Sequence, residues 1–462
     1  MTEQGAPLWT SGEVAGAVGG TASAPFSVSG VAFDSREVGP GDLFVALKGE
    51  ATDGHRFVDK AFAAGAAGAI VSQPVEYPHV LVADTTEALN ALGRAARARM
   101  TGKVIGVTGS VGKTSTKEAL FAALDRFAPG RVHRSVKSYN NHVGVPLSLA
   151  RMPRETLYAV LEMGMNHFGE LAALTRLVRP HVAMVTAIAP AHIEYFGTEE
   201  AIARAKSEIF EGLEPNGTAI VPYDSPYCGL LADKARACGA RIVTFGMGAG
   251  ADVCAVEAIP ASGGGTLVSA RLPGAELCYT VALPGEHQVS NSLALLAAVD
   301  AVGADLATAG LALAELGGLA GRGARHRIAV PGGTALLIDE SYNANPLSMT
   351  ATIRQLGHEK AGRRLVVLGA MKELGARSDE LHAALAGPIV EAGVDVALLV
   401  GAEMAPLARG LEGRLALEHG ADADAATRSL RAQLRPDDVV LVKGSNSVGL
   451  SRLVAALVDG EK

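Results

Sequence analysis

The chain has 462 residues, 48% of them apolar and only 4% aromatic, with a formal charge of −7. That length exceeds one ordinary core, and about three domains of ~150 residues are expected. The acidic balance argues against nucleic acid or an anionic membrane as the main partner. The dominance of Gly, Ala, Val and Leu suits helices lying close on buried parallel sheets.

The four cysteines, Cys228, Cys238, Cys254 and Cys278, form no CxxC pair, which argues for reduced thiols rather than a zinc site or disulfide framework. The first twenty residues show no basic segment leading into an apolar core, so no secretory signal is expected. No apolar run approaches the ~18–20 residues that span a bilayer. A soluble, cytoplasmic protein without membrane insertion is the expectation.

In chain order, residues 1–98 predict a small α/β domain. Ser11 is expected to cap a helix reaching Val18, strands follow at 31–33 and 43–47 around a Gly-Pro-Gly turn, then a helix at 57–67 and a strand at 68–71. A sharper unit begins with the apolar run Val104-Ile105-Gly106-Val107, a glycine loop, and a helix from Thr114 to about Phe127. Further strands are predicted at 157–162, 182–188, 219–222 and 242–245, with helices between them. That alternation means a doubly wound parallel sheet. Residues 252–283, with the turn Ser262-Gly263-Gly264-Gly265, suggest an antiparallel excursion before a helix carrying Asn291. The glycine- and arginine-rich stretch 321–327 is the linker candidate. Strands at 335–338, 364–368, 396–400 and 439–442 then make a second doubly wound domain. The domain expectation is therefore 1–98, 99–324 and 325–462.

The loop Thr108-Gly109-Ser110-Val111-Gly112-Lys113-Thr114-Ser115 carries the clearest chemistry. Successive backbone N–H groups in such a turn form an anion nest, and the following helix presents its positive end. Lys113 suits the β- and γ-phosphates of ATP, and the Thr114 hydroxyl suits Mg²⁺. A strict P-loop has glycine where this chain has Val107. At the ends of the next predicted strands stand Glu162, in Glu162-Met163-Gly164, and His192, in Ala191-His192-Ile193-Glu194. Ligands of open α/β sheets collect at such strand ends, although a single histidine is more often a satisfied surface residue. Lys206 taken alone reads as a solvated helix lysine. The run Asp339-Glu340-Ser341-Tyr342-Asn343-Ala344-Asn345-Pro346 reads as a polar turn.

These strings, together with Phe33-Asp34-Ser35-Arg36, Asn140-Asn141-His142-Val143-Gly144-Val145-Pro146, His287 with Asn291, Met371-Lys372-Glu373-Leu374-Gly375 with His382, and Lys443-Gly444-Ser445, resemble the Mur ligase family along nearly the whole chain. The short loop is that family's usual form. The resemblance implies three α/β domains: a small UDP-sugar-binding domain, a central P-loop domain and a C-terminal domain that closes on it.

It further implies an ATP-dependent amide ligase of peptidoglycan precursor synthesis that works through an acyl phosphate. Residues 161–166 and 339–346 resemble the member that adds D-alanyl-D-alanine to UDP-N-acetylmuramoyl-tripeptide. No Asp-Asn-Pro-Arg string of the diamino-acid-adding member is present. A ligase adding a diamino acid or glutamate is the nearest alternative, and a P-loop nucleotide switch is the alternative from another class.

Carried over by position, Lys113 is implied to stabilise the transferring phosphoryl group, with Gly109, Ser110, Val111, Gly112, Thr114 and Ser115 around the phosphates. Thr114 and Glu162 are implied to hold one Mg²⁺ and His192 a second. Lys206 is implied to be carbamylated by CO₂, turning a cation into an anion that orients Mg²⁺. Asn291 is implied at the adenine, Glu340 and Asn345 near the nucleotide, and Arg325 at the phosphates with Arg322 as the alternative. Ser35 and Arg36, less directly Asp53-Gly54-His55, and Asn140 and Asn141 are implied to bind the UDP-linked substrate. A monomer is expected.

Overall fold

A computed structural model describes residues 6–49, 52–262 and 264–460. Gly263 of the expected 262–265 turn, and the first five residues of the stretch read for a signal, lie outside them. Among the described residues the strands form a five-stranded, a nine-stranded and a six-stranded sheet, with a two-stranded ribbon near the start of the chain. No helix among them is long and apolar enough to cross a membrane.

The first sheet runs in the order Thr21–Ala22, His79–Leu81, Gly68–Val71, Asp42–Val45, Gly30–Ala32, parallel except at the first pair. The expected helix at 57–67 is shorter, Val58–Ala63, and is preceded by a 3₁₀ turn at Gly54–Phe57. Its first helix, Ser11–Val18, is capped by Thr10 rather than Ser11. The Thr10 hydroxyl accepts from the Glu13 N–H while Glu13 reaches back, a reciprocal box that Ser11 cannot make from inside the helix.

The central sheet has Lys103–Thr108 in its interior, flanked by Val182–Val185 on one side and Tyr158–Glu162 on the other, all parallel. From this strand the chain goes first to Val132–Arg134 and Tyr158–Glu162 on one side and then crosses to Val182–Val185 on the other, so a crevice opens at the carboxyl end where the order reverses. Strands Val253–Pro260, Thr266–Leu272 and Ala275–Val281 complete the sheet as the antiparallel excursion.

The third sheet runs Ala324–Val330, Gly333–Glu340, Asp438–Lys443, Arg363–Gly369, Val396–Val400, Ala416–Gly420. The linker expectation at 321–327 is corrected here, because Ala324–Val330 is a strand, paired antiparallel with Gly333–Glu340. Its position at the sheet edge explains the missing apolar run: Ala324 and Ile328 face inward, while Arg325 and Arg327 point to solvent.

The first two sheets are tied together. Trp9 Nε1 donates to the Ala150 carbonyl at 2.8 Å, and the Arg99 guanidinium lies 3.6 Å from the Trp9 ring centre. Leu89, Leu92 and Ala96 share one apolar cluster with Leu147 and Ala150. The third sheet reaches the second through a contact of 2.5 Å between Glu373 Oε2 and His192 Nδ1.

Two half-buried histidines make stability depend on acid. His181 Nδ1 accepts from the Val104 N–H at 3.0 Å, which needs the neutral ring. Burial pushes both His181 and His133 down to about 4. The unfolded chain, with imidazoles near 6.5, therefore takes up these protons first. Stability is expected to be full above about pH 6.5 and to fall as pH drops toward 4. Denaturant midpoints across that range check it, and His181→Gln, whose amide oxygen can accept from Val104, should flatten part of the slope.

Candidate active site

The phosphate loop is held from behind before any ligand arrives. The Ser110 N–H donates to the Ala187 carbonyl at 2.8 Å, and its hydroxyl donates to the Ala189 carbonyl at 3.0 Å. The Thr186 hydroxyl donates to the Val111 carbonyl at 2.5 Å. Two positions require glycine. Gly109 and Gly112 have φ of 154° and 82°, and a Cβ on Gly109 would stand 1.9 Å from Thr186 Oγ1. Helix Lys113–Phe127 begins directly after the loop, so its unpaired N–H groups face the crevice. The Lys113 ammonium folds back onto the Gly109 carbonyl at 2.7 Å. Burial holds Lys113 below its ordinary value, against the opposing pull of Glu162.

Glu162 ends its strand beside the loop and is 1% exposed. Its carboxylate accepts from the Thr114 hydroxyl at 2.8 Å and from Asn140 Nδ2 at 2.8 Å. This is a preformed set of oxygens of the hard kind that Mg²⁺ prefers. Lys206, on helix Glu199–Ser207, is 1% exposed, so the solvated reading of this residue fails. Among the described residues its amine has no hydrogen bond or ion pair. Burial, with the Lys113 charge adding to it, drives its basicity well below the ordinary lysine value. His192 has the left-handed φ of 62° at the start of helix Ile193–Phe196. Its Nδ1 stands against Glu373, which leaves Nε2 as the ring nitrogen available to a ligand.

These residues line one cleft of about 520 Å³. Ser110, Val111, Gly112, Lys113, Thr114, Ser115, Asn140, Glu162, His192, Lys206 and Asn291 come from the second sheet's side, and Glu340, Tyr342, Asn345 and Lys443 from the third. A smaller apolar slot, lined in part by Val281, Leu283, Leu295 and Leu316, adjoins it at Asn291. Asn345 also caps helix Pro346–Gly357, its side-chain oxygen accepting from the Ser348 N–H.

Several expected residues stand elsewhere. Arg325 is bound to Glu359 at 2.7 and 2.9 Å and does not line the cleft. Strand alternation turns it outward, and Arg322 takes the cleft position, its guanidinium 4.1 Å from the Tyr342 ring centre. Asn141 spends its side-chain oxygen on the N–H groups of Val143 and Gly144 at the start of helix Gly144–Ala150. Ser35 and Arg36 lie on the first sheet's side, outside the cleft lining. Arg36 is held by Asp34 at 2.6 Å with its side chain 79% exposed, and this hydrogen-bonded arginine lowers Asp34 to about 2. Residues that sequence reasoning gave no role, Ser138, Thr186, Tyr342 and Lys443, also line the cleft.

Comparison with known proteins finds relatives along nearly the whole chain. Three family models match successive segments: Mur ligase family, catalytic domain, over residues 27–101; Mur ligase middle domain over 107–299; and Mur ligase, glutamate ligase domain, over 326–446. The UDP-N-acetylmuramoyl-tripeptide–D-alanyl-D-alanine ligase of Escherichia coli (strain K12) is 36% identical over 442 residues, covering 94% of this chain and 95% of that protein. The Bacillus subtilis (strain 168) protein of the same name is 34% identical, covering 94% and 93%. Among solved structures, MurF from Acinetobacter baumannii superposes with a TM-score of 0.84 at 32% identity, covering 98% of this chain and 99% of that one. MurF ligase from Thermotoga maritima in complex with ADP gives 0.78 at 28% identity, covering 94% and 97%. With three successive α/β units, a short phosphate loop and relatives matched nearly end to end, the chain belongs to the Mur ligase family.

Proposed function

We propose that this enzyme joins D-alanyl-D-alanine to UDP-N-acetylmuramoyl-tripeptide with conversion of ATP to ADP and phosphate, acting as a cytoplasmic monomer. The observation that carries amide ligation is the convergence of the phosphate loop, Glu162 and Lys206 on one cleft that the third sheet also lines. The choice of dipeptide rests on the names of the full-length relatives.

A carboxylate is a poor acyl donor because its leaving group would be oxide. Transfer of the γ-phosphoryl group to the terminal tripeptide carboxylate gives an acyl phosphate and ADP. The dipeptide amine then attacks the carbonyl carbon, and the tetrahedral adduct collapses to the amide with loss of phosphate. The chain's contribution is positioning and charge neutralisation. Lys113 and the loop N–H groups face the transferring phosphoryl oxygens, and the slot at Asn291 suits an adenine. Arg322, which the stacked Tyr342 keeps in the cleft, adds a second cation. Glu340, Tyr342 and Lys443 enclose the cleft from the third sheet and keep water from the acyl phosphate.

Mg²⁺, when bound, would neutralise phosphate charge. Thr114 and Glu162 would supply its oxygens, a carbamate on Lys206 would orient it, and His192 Nε2 would serve a second ion. Lys206 suits carbamylation because an uncharged, buried amine is the form that attacks CO₂.

The test is phosphate release with ATP, UDP-muramoyl-tripeptide and either D-alanyl-D-alanine or single amino acids. Release with the dipeptide alone is expected. Release with a diamino acid or glutamate instead would move the enzyme elsewhere in the family, and nucleotide binding without acceptor-dependent release would make it a switch.

The two arginines give a sharper check. Arg322→Ala is expected to lower kcat by about 100-fold, the usual effect of losing one donor to developing charge. Arg325→Ala should leave kcat near wild type and cost at most ~1 kcal/mol of stability, as for a partly exposed ion pair. Steady-state kinetics and denaturant titration of both variants decide it.

A further inference from the structure

Lys117 lies one helical turn beyond Lys113 and is 0% exposed. Burying an ammonium is costly unless it is paired and fully hydrogen-bonded, so what it holds is informative. Its Nζ donates to the Ser135 carbonyl at 3.0 Å and the Lys137 carbonyl at 2.6 Å. An ion pair with Glu118 at 2.9 Å completes the set. All of the backbone it grips belongs to the irregular segment that follows strand Val132–Arg134.

That segment carries groups that orient Glu162. The Ser135 hydroxyl accepts from the Glu162 N–H at 3.0 Å. The Asn140 side chain donates to the Glu162 carboxylate at 2.8 Å, and the Asn140 carbonyl accepts from the Gly164 N–H at 2.7 Å. At its other end the same segment reaches the first sheet's domain, where the Tyr139 hydroxyl donates to Glu37 at 2.7 Å. Glu37 follows Ser35 and Arg36 directly.

Resting on the ligase reading above, we propose that Lys117 is a positioning residue for the phosphate site. It clamps residues 135–140 from inside the protein so that Glu162 is presented to the cation and phosphate in one geometry. Lys117 does not line the cleft and touches no reacting atom. It acts through Ser135 and Asn140. Without the clamp the segment keeps the contacts of Lys137 and Tyr139 with Glu37 and those of the Ser138 hydroxyl with Thr114 and Arg322, none of which reaches the buried carbonyls that Lys117 holds.

The test is Lys117→Met, which keeps the length of the side chain and removes the charge. Per folded molecule, kcat is expected to fall about 10–100-fold, the range produced by displacements near 1 Å. The Mg²⁺ concentration for half-maximal rate should rise several-fold, while KM for D-alanyl-D-alanine stays at the wild-type value. Hydrogen exchange of the free protein, without nucleotide or metal, should show faster exchange at the Glu162 and Gly164 amides. Ser135→Ala, which leaves the ammonium in place, should reproduce the effect at Glu162 in weaker form and carries the test if Lys117→Met does not fold. Wild-type exchange at both amides, or an unchanged Mg²⁺ midpoint per folded molecule, would overturn the proposal. Absence of ligation by the wild-type enzyme would instead count against the proposed function, since the exchange measurement needs no substrate.

Discussion

Lys206→Ala is expected to reduce ligation by at least about 100-fold, the scale of losing a preorganised charge at a reacting phosphoryl group, while the protein stays folded. The residue is 1% exposed with no anionic partner among the described residues, and the charge that acts on it is the like charge of Lys113. As a cation it would be an uncompensated buried charge that repels Mg²⁺. As a neutral amine it can attack CO₂ and release a proton, leaving a carbamate anion within the cleft. Alanine cannot carry that anion. The helix that bears it keeps its Thr198 cap and the buried Ile202, Ala203 and Ala205, so the melting temperature should change little. Added short carboxylates should restore part of the rate by standing in for the missing anion. Wild-type turnover without them would sink the carbamate assignment. So would a loss of activity that tracks loss of folded protein.

This residue also shows which parts of the site were legible in the sequence. The phosphate loop could be read because its chemistry is local: a strand, glycines free to adopt positive φ, and a Gly-Lys-Thr helix start. The burial of Lys206 is a tertiary fact, and one local signal for it was available. It lies four residues after Ile202 and three after Ala203, on the apolar face of its helix. Lys117 carries the same signature, three and seven residues before Leu120 and Leu124, both fully buried. A lysine on the apolar face of a helix is therefore buried, and it needs either partners, as Lys117 has, or a loss of charge, as at Lys206.

The misplaced arginine has a different origin. Counting along 321–327 as a linker gives no reason to prefer Arg322 over Arg325, whereas the period-two alternation of a strand beginning at Ala324 turns Arg325 outward. The edge strand Ala416–Gly420 went unseen because Ala-Leu-Glu-His-Gly lacks β-branched residues, and only pairing with Val396–Val400 makes it a strand. For Asn141, as for Asn140, the family resemblance implies a substrate contact. An asparagine two or three residues before a helix's first N–H groups has a backbone role open to it, and here it takes that role.

Glu162→Gln should separate function from stability most cleanly. The carboxylate is 1% exposed, accepts from Thr114 and Asn140, and forms no ion pair among the described residues. Gln keeps the size and one acceptor for Asn140. Its amide can donate to the Thr114 hydroxyl, which is free to rotate and accept. The fold therefore loses a buried charge and its attraction for Lys113 but little hydrogen bonding, and the melting temperature should hold or rise, because a buried carboxylate without a direct ion pair is costly to the folded state. Activity should move the other way. kcat is expected to fall by about 100–1,000-fold, the range seen when one preorganised electrostatic group is removed, and the Mg²⁺ requirement should rise. Nucleotide binding measured without Mg²⁺ should tighten or stay constant, since one negative charge beside the phosphates is gone. Weaker metal-free binding in a fully folded variant would mean that Glu162 holds the loop rather than the cation. Unchanged Mg²⁺ dependence would remove it from the metal site altogether. The opposed signs for stability and rate are what a functional carboxylate predicts, and a purely structural one would lower both.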